Sequence, residues 1–102
     1  MNDEENKNLK AVALKYDFEN APKVVAKGEG IVADKIVEIA EEHGVTLYQD
    51  SELVKLLSRI EVDEEIPANL YQAVAVVLSF VFQLNGKSKN MTIASNNQKN
   101  QP

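Results

Sequence analysis

Residues 67–84 carry apolar side chains on almost every side of a helix. Leu70, Val74, Val77, Val81 and Leu84 form a central stripe; Tyr71, Ala73 and Leu78 widen it, and Phe80 and Phe82 lie near its edges. Only Gln72, Ser79 and Gln83 mark a polar strip. So wide an apolar arc needs a sheet or another helix on most sides. Strand competes for residues 74–82, given their β-branched and aromatic content; length and the polar strip favour helix. Pro67 suits the first helical position, where its missing N–H costs nothing.

The rest of the chain supplies the cover. Ala11-Val-Ala-Leu-Lys-Tyr16 reads as a strand that ends in a polar turn, and Lys23-Val-Val-Ala26 as a second strand after Pro22. Their nearness in sequence predicts an antiparallel hairpin. The period then changes. Val32, Ile36, Ile39, Ala40 and His43 recur at helical spacing, and Gly44 suits a C′ position with positive φ. Residues 45–48 read as a third strand. Asp50 is a candidate N-cap for a helix whose apolar positions are Leu53, Leu56, Leu57 and Ile60. An acidic connector, 61–65, leads to the apolar helix.

The expected fold class is therefore α/β (α+β). A small mixed sheet of about three strands packs against three helices in the order ββαβαα. The folded domain is expected at 11–85. Residues 1–10 read as a flexible lead-in and residues 86–102 as a disordered tail, because Asn, Lys, Gln and Ser dominate both.

Function classes narrow quickly. A chain of 102 residues holds one core. With no cysteine there is no disulfide, thiolate metal site or cysteine nucleophile. A net charge of -5 does not suit a phosphate backbone or an anionic bilayer. The longest apolar stretch, 73–84, is too short to span a membrane, and residues 1–10 have no signal-peptide core. The expectation is a cytoplasmic protein that inserts into no membrane and binds no nucleic acid.

The chemistry-bearing residues form no enzyme constellation. His43, the single histidine, is best placed to interact with the negative end of its helix. The cluster Glu61, Asp63, Glu64 and Glu65 lacks EF-hand spacing and reads as a solvated turn. Lys27-Gly-Glu-Gly30 reads as a strand-to-helix turn that needs positive φ, since Glu29 opposes a bound phosphate. Ser51, Ser58 and Ser79 lie in no nucleophile-elbow context. No cofactor and no metal is expected.

Several segments in one order do carry a resemblance. Ala11-Val-Ala-Leu-Lys-Tyr-Asp17, Ala21-Pro-Lys-Val-Val-Ala-Lys-Gly28, Lys35-Ile-Val-Glu-Ile-Ala-Glu-Glu-His-Gly-Val45 and Glu65-Ile-Pro-Ala-Asn-Leu-Tyr-Gln-Ala-Val-Ala75 resemble the cytoplasmic domain of the flagellar and type III export switch proteins, the FlhB/YscU-like family. Members of that family cleave themselves at Asn-Pro-Thr-His just before the segment that matches Ala11. Here Asn6 is followed by Lys7, Asn8 and Leu9. No autoproteolysis is expected, and the chain looks like the fragment after the cut, encoded separately from a membrane-spanning half. Without the strand that precedes the cut, its sheet is expected to have an open edge. The resemblance also implies a protein-binding patch at Ala21, Pro22, Ala75 and Leu78, with Lys23 and Lys27 at its rim. The competing reading makes all four packing residues.

The implied function is that of a non-catalytic accessory of flagellar or type III export, peripheral to the inner-membrane export gate. Its implied partners are membrane-bound apparatus components and export substrates or chaperones. The alternatives are a general protein-interaction adaptor outside secretion and an enzyme in the family's self-cleaving sense.

Overall fold

The computed structural model describes residues 9–16, 20–85 and 90–95, the side chains of 80–85 excepted. Four strands and three helices follow one another. They are β1 (Lys10–Lys15), β2 (Lys23–Glu29), α1 (Ile31–Glu42), β3 (Thr46–Gln49), α2 (Ser51–Leu57), α3 (Ala68–Asn85) and β4 (Asn90–Ala94). One sheet takes the order β2-β1-β4-β3. The hairpin pairing of β1 with β2 is antiparallel, as expected. Its register slips between Ala13 and Leu14, which skips Val25 on β2 and bends that strand.

Strand β4 corrects three expectations. Residues 90–94 are not a disordered tail but an inner strand, antiparallel to β1 and parallel to β3. The sheet has four strands, not about three. The sheet was expected to have an open edge for want of the strand before the cut; the side of β1 away from β2 is instead covered by β4. Met91, Thr92, Ile93 and Ala94 are all buried. The lead-in is shorter too, since Leu9 is buried and Lys10 opens β1. Residues 1–8, 86–89 and 96–102 lie outside the described residues.

Three layers result, because side chains alternate faces along each strand. Val12, Leu14, Val24, Met91 and Ile93 meet Leu53, Val54 and Leu57 of α2 and Leu70, Val74, Val77 and Leu78 of α3. On the opposite face, Leu9, Ala11 and Ala94 meet Ala33 and Val37 of α1. That second face is built from small residues. Gly28 lies opposite Ala11, and Ala11 opposite Ala94, so a low strip crosses three strands.

The strip explains how α1 sits. Its expected buried face was Val32, Ile36, Ile39, Ala40 and His43. The observed one is Ala33, Val37 and Ala40, with Val32 and Ile39 more than half exposed. A helix lying close over glycine and alanine turns its own small residues inward. Gly28 itself is a strand residue, not a positive-φ turn residue; the positive φ belongs to Gly30 and to Gly44. A Cβ on Gly28 would lie 2.2 Å from Val32 Cγ1 and 2.8 Å from Val32 Cβ. Rotation of Val32 relieves only the first contact. Gly28→Ala is therefore expected to cost about 1–3 kcal/mol, read from the urea midpoint.

Helix α2 starts as expected. Asp50 Oδ1 accepts hydrogen bonds from the N–H groups of Glu52 (3.1 Å) and Leu53 (3.0 Å). Its buried positions are Leu53, Val54 and Leu57; Leu56, expected inside, is exposed because Val54 takes the place facing the sheet. Asp50→Ala is expected to lower stability by about 1 kcal/mol, and Asp50→Asn to retain most of it. Equilibrium denaturation of the two variants checks the cap.

The acidic connector is more than a turn. Val24 N–H donates to Glu64 O (3.0 Å), Asp63 N–H to Val24 O (2.6 Å) and Ile66 N–H to Pro22 O (2.9 Å). The segment thus runs along the outer edge of β2 and protects it from foreign strands. Asp63 takes φ 78° to make that path.

Candidate protein-docking surface

The four candidate residues stand on two parts of the fold. Ala21 and Pro22 lead into β2, whereas Ala75 and Leu78 lie one turn apart on α3. Their exposures differ. Pro22 is fully buried, and its carbonyl holds the connector through Ile66. Leu78 is 7% exposed and belongs to the main core with Val74 and Val77. Ala21 and Ala75 are half-buried. The surface that these residues offer thus comes from the two alanines, with Pro22 and Leu78 beneath.

Two tyrosines mark the same end of the domain, and the sequence reading did not assign them to the site. Tyr16 follows β1 and Tyr71 lies one turn before Ala75. Their hydroxyl oxygens are 2.8 Å apart, and their rings meet edge to face at a centroid distance of 6.3 Å. Both pack on the main core, as does Ala21. A phenol pair that joins a strand end to a helix 55 residues later leaves no periodic signal in sequence. Buried or half-buried tyrosines usually find such a partner.

The rim lysines separate. Lys27 faces α2, where its Nζ donates to the carbonyls of Ser58 (3.0 Å) and Ile60 (2.8 Å). It secures the end of that helix, where cations are favoured. Lys23 is exposed and, with Lys15, Asn20, Ala21 and Glu65, lines a shallow depression of about 150 Å³. A mixed-charge depression beside small apolar residues suits a short peptide better than a buried organic ligand.

The other singled-out groups have structural work. His43 Nδ1 lies 3.0 Å from Ile39 O at the end of α1. Among the described residues, no group of three His, Cys, Asp or Glu stands close enough to hold a metal ion. Among the same residues, no helix is long and apolar enough to cross a membrane. Asn6, Lys7 and Asn8 lie outside the described residues.

Together these elements define a small α+β domain, a mixed four-stranded sheet with helices on both faces. A profile of the FlhB HrpN YscU SpaS Family matches residues 6–81, and the chain belongs to that family. It is 45% identical over 83 residues to the uncharacterized protein YlqH of Bacillus subtilis, covering 89% of that protein. It is 48% identical over 77 residues to the flagellar biosynthetic protein FlhB of Salmonella typhimurium, and spans only 20% of it. Among solved structures, the cytoplasmic domain of FlhB from Shewanella putrefaciens matches with a TM-score of 0.69 and 40% identity, over 74% of this chain and 64% of that one. The PscU C-terminal domain matches with a TM-score of 0.67 and 35% identity, over 71% of this chain and 95% of that one. The resemblance read from the sequence and the mixed fold class are both borne out by these matches.

Proposed function

We propose that the chain is a non-catalytic accessory of flagellar or type III protein export. It substitutes for, or supplements, the fragment of the switch protein that follows the self-cleavage site. One observation carries the reading: this chain matches 95% of the PscU C-terminal domain in three dimensions, at 35% identity. A domain that corresponds to the cytoplasmic part of the switch protein contributes contact surface. Its partners are then membrane-bound apparatus components and export substrates or their chaperones, met at the cytoplasmic side of the export gate. Ala21 and Ala75, over Pro22 and Leu78, form the contact patch.

The test is complementation. Cells whose switch protein stops at the cleavage site are given this chain in trans, and secreted hook and filament proteins are measured. Recovery of export, together with retention of apparatus components on the tagged chain, is expected. No recovery and no retention would remove the reading. Mass spectrometry of the purified chain checks the non-catalytic part, since a new N-terminus at Lys7 would mean that Asn6 still cuts.

A further inference from the structure

Between the second half of α1 and the sheet lies a recess of about 270 Å³. Near its start α1 closes on the sheet through Ala33 and Val37, which pack with Ala11 and Ala94. Further along, Ile36, Ile39 and Ala40 form a wall over a floor of Ala13, Ala26 and Thr92. The floor is low because two of its three side chains end at Cβ. Val25, the residue skipped in the register of β1 with β2, stands at the side. One floor residue is polar. Thr92 is 2% exposed, and its hydroxyl makes no hydrogen bond among the described residues. It lies opposite Ala13 on the α1 side of the sheet and so faces the recess. A buried hydroxyl without a partner is costly, and a ligand that supplies the partner removes that cost.

The mouth of the recess narrows the choice of occupant. Ile39 is 53% exposed and Val25 41%. A site for a free small molecule encloses most of it. Walls this open cover one end of a ligand, which suits a side chain projecting from a larger body. Size narrows that side chain. A cavity of about 150 Å³ holds one benzene ring, so this recess takes a six-membered ring with a substituent at each end. Charge narrows its neighbours, since the helix side of the mouth is acidic. Within one turn of Ile39, α1 carries exposed Glu38, Glu41 and Glu42 against Lys35. Its last turn has no basic residue, and the three carboxylates form no ion pair among the described residues. The C-terminal end of the helix adds negative potential of its own.

We propose that this recess binds a tyrosine side chain of a partner protein, in a segment with Lys or Arg beside the tyrosine. The ring packs against Ile36, Ile39, Val25 and the two alanines. Its hydroxyl reaches the floor and bonds the hydroxyl of Thr92, either group being able to donate. Phenylalanine fills the same space but leaves Thr92 without a partner. The flanking cations meet Glu38 and Glu42 at the mouth. Tyrosine is rigid, amphipathic and common among the residues that anchor protein contacts. The recess is separate from the Ala21–Ala75 patch, because Ala21 and Leu78 pack on the opposite side of the sheet, with α2 and α3. As a contact for an export component the recess rests on the function proposed above; as a tyrosine site it does not.

The experiment needs only the full chain and simple probes, so its failure leaves the export reading standing. The isotopically labelled chain is titrated with p-cresol, the tyrosine side chain ending at Cβ, and followed by amide NMR. Saturable shifts are expected at Ala13, Ala26, Ile39 and Thr92. Thr92→Val keeps the shape and removes the hydroxyl. It is expected to melt no lower than the parent, and to lower the ratio of p-cresol to toluene affinity at least about fivefold. The pentapeptide Lys-Ala-Tyr-Ala-Lys is expected to bind the parent at least about threefold more tightly than Glu-Ala-Tyr-Ala-Glu at low salt, with the difference shrinking at high salt. Shifts that are absent, or scattered over the surface, would overturn the site. A lower melting temperature for Thr92→Val, or an unchanged affinity ratio, would overturn the choice of tyrosine. Equal binding of the two peptides would overturn the basic flank.

Discussion

Ile93→Asp is expected to abolish the cooperative unfolding transition of this protein. Ile93 is fully buried between Val12 of β1 and Tyr48 of β3, within the larger core. Truncating such a residue to alanine costs about 2–5 kcal/mol. An unpaired carboxylate adds a desolvation penalty of several kcal/mol more. A domain this size has about 5–15 kcal/mol in total. Ile93→Ala should therefore remain folded with a clearly lower melting temperature, and Ile93→Asp should show no melting transition. Thermal denaturation followed by far-ultraviolet circular dichroism separates the two. A wild-type melting curve for Ile93→Asp would mean that residues 90–94 do not form the inner strand.

Leu78→Asp is expected to be nearly as damaging, whereas Ala75→Asp is not. The two positions are less than one helical turn apart but differ in what covers them. Leu78 is held with Val74, Val77 and Leu70 against the sheet; Ala75 is half-buried. Leu78→Asp should lose the fold, with a cost comparable to that at Ile93. Ala75→Asp should cost on the order of 1 kcal/mol or less, as surface substitutions usually do. The pair divides packing from contact at the proposed patch. If the patch binds an export partner, Ala75→Asp keeps the melting transition and loses retention of that partner by at least about tenfold, the effect of burying or repelling one misplaced charge at a contact. Undiminished retention by folded Ala75→Asp would remove Ala75 from the contact surface.

Much of the fold was legible because it is local. The hairpin of β1 and β2 joins neighbours in sequence. The Asp50 cap satisfies donors two and three residues away, and Gly44 ends α1 with the positive φ that its position demands. The stripe of α3 was readable from Leu70 to Leu78 because the helix is apolar enough to need burial in any fold. The face of α1 was readable only in part: Ala40 is buried and Ile36 packs beside it, but Ala33 and Val37 were missed. Val32 and Ile39 are more apolar than Ala33, and hydrophobicity alone turns them inward. Gly28 and the alanine strip reverse the choice, because a close approach admits only small side chains.

The candidate site was not legible from periodicity or spacing. Ala21 and Ala75 were reached through resemblance, and both are half-buried, one before β2 and the other on α3. The Tyr16–Tyr71 contact and the carbonyl clasp of Lys27 were not, since each joins groups more than thirty residues apart in sequence.

By itself the amino-acid order determined the family, the mixed class, the hairpin and the helices, since periodicity and capping act over a few residues. Only the tertiary structure decided that Asn90-Met-Thr-Ile-Ala94 is an inner strand. Five residues in a polar tail have too little apolar content to announce themselves, and what holds them is supplied by two distant strands whose backbone groups they complete.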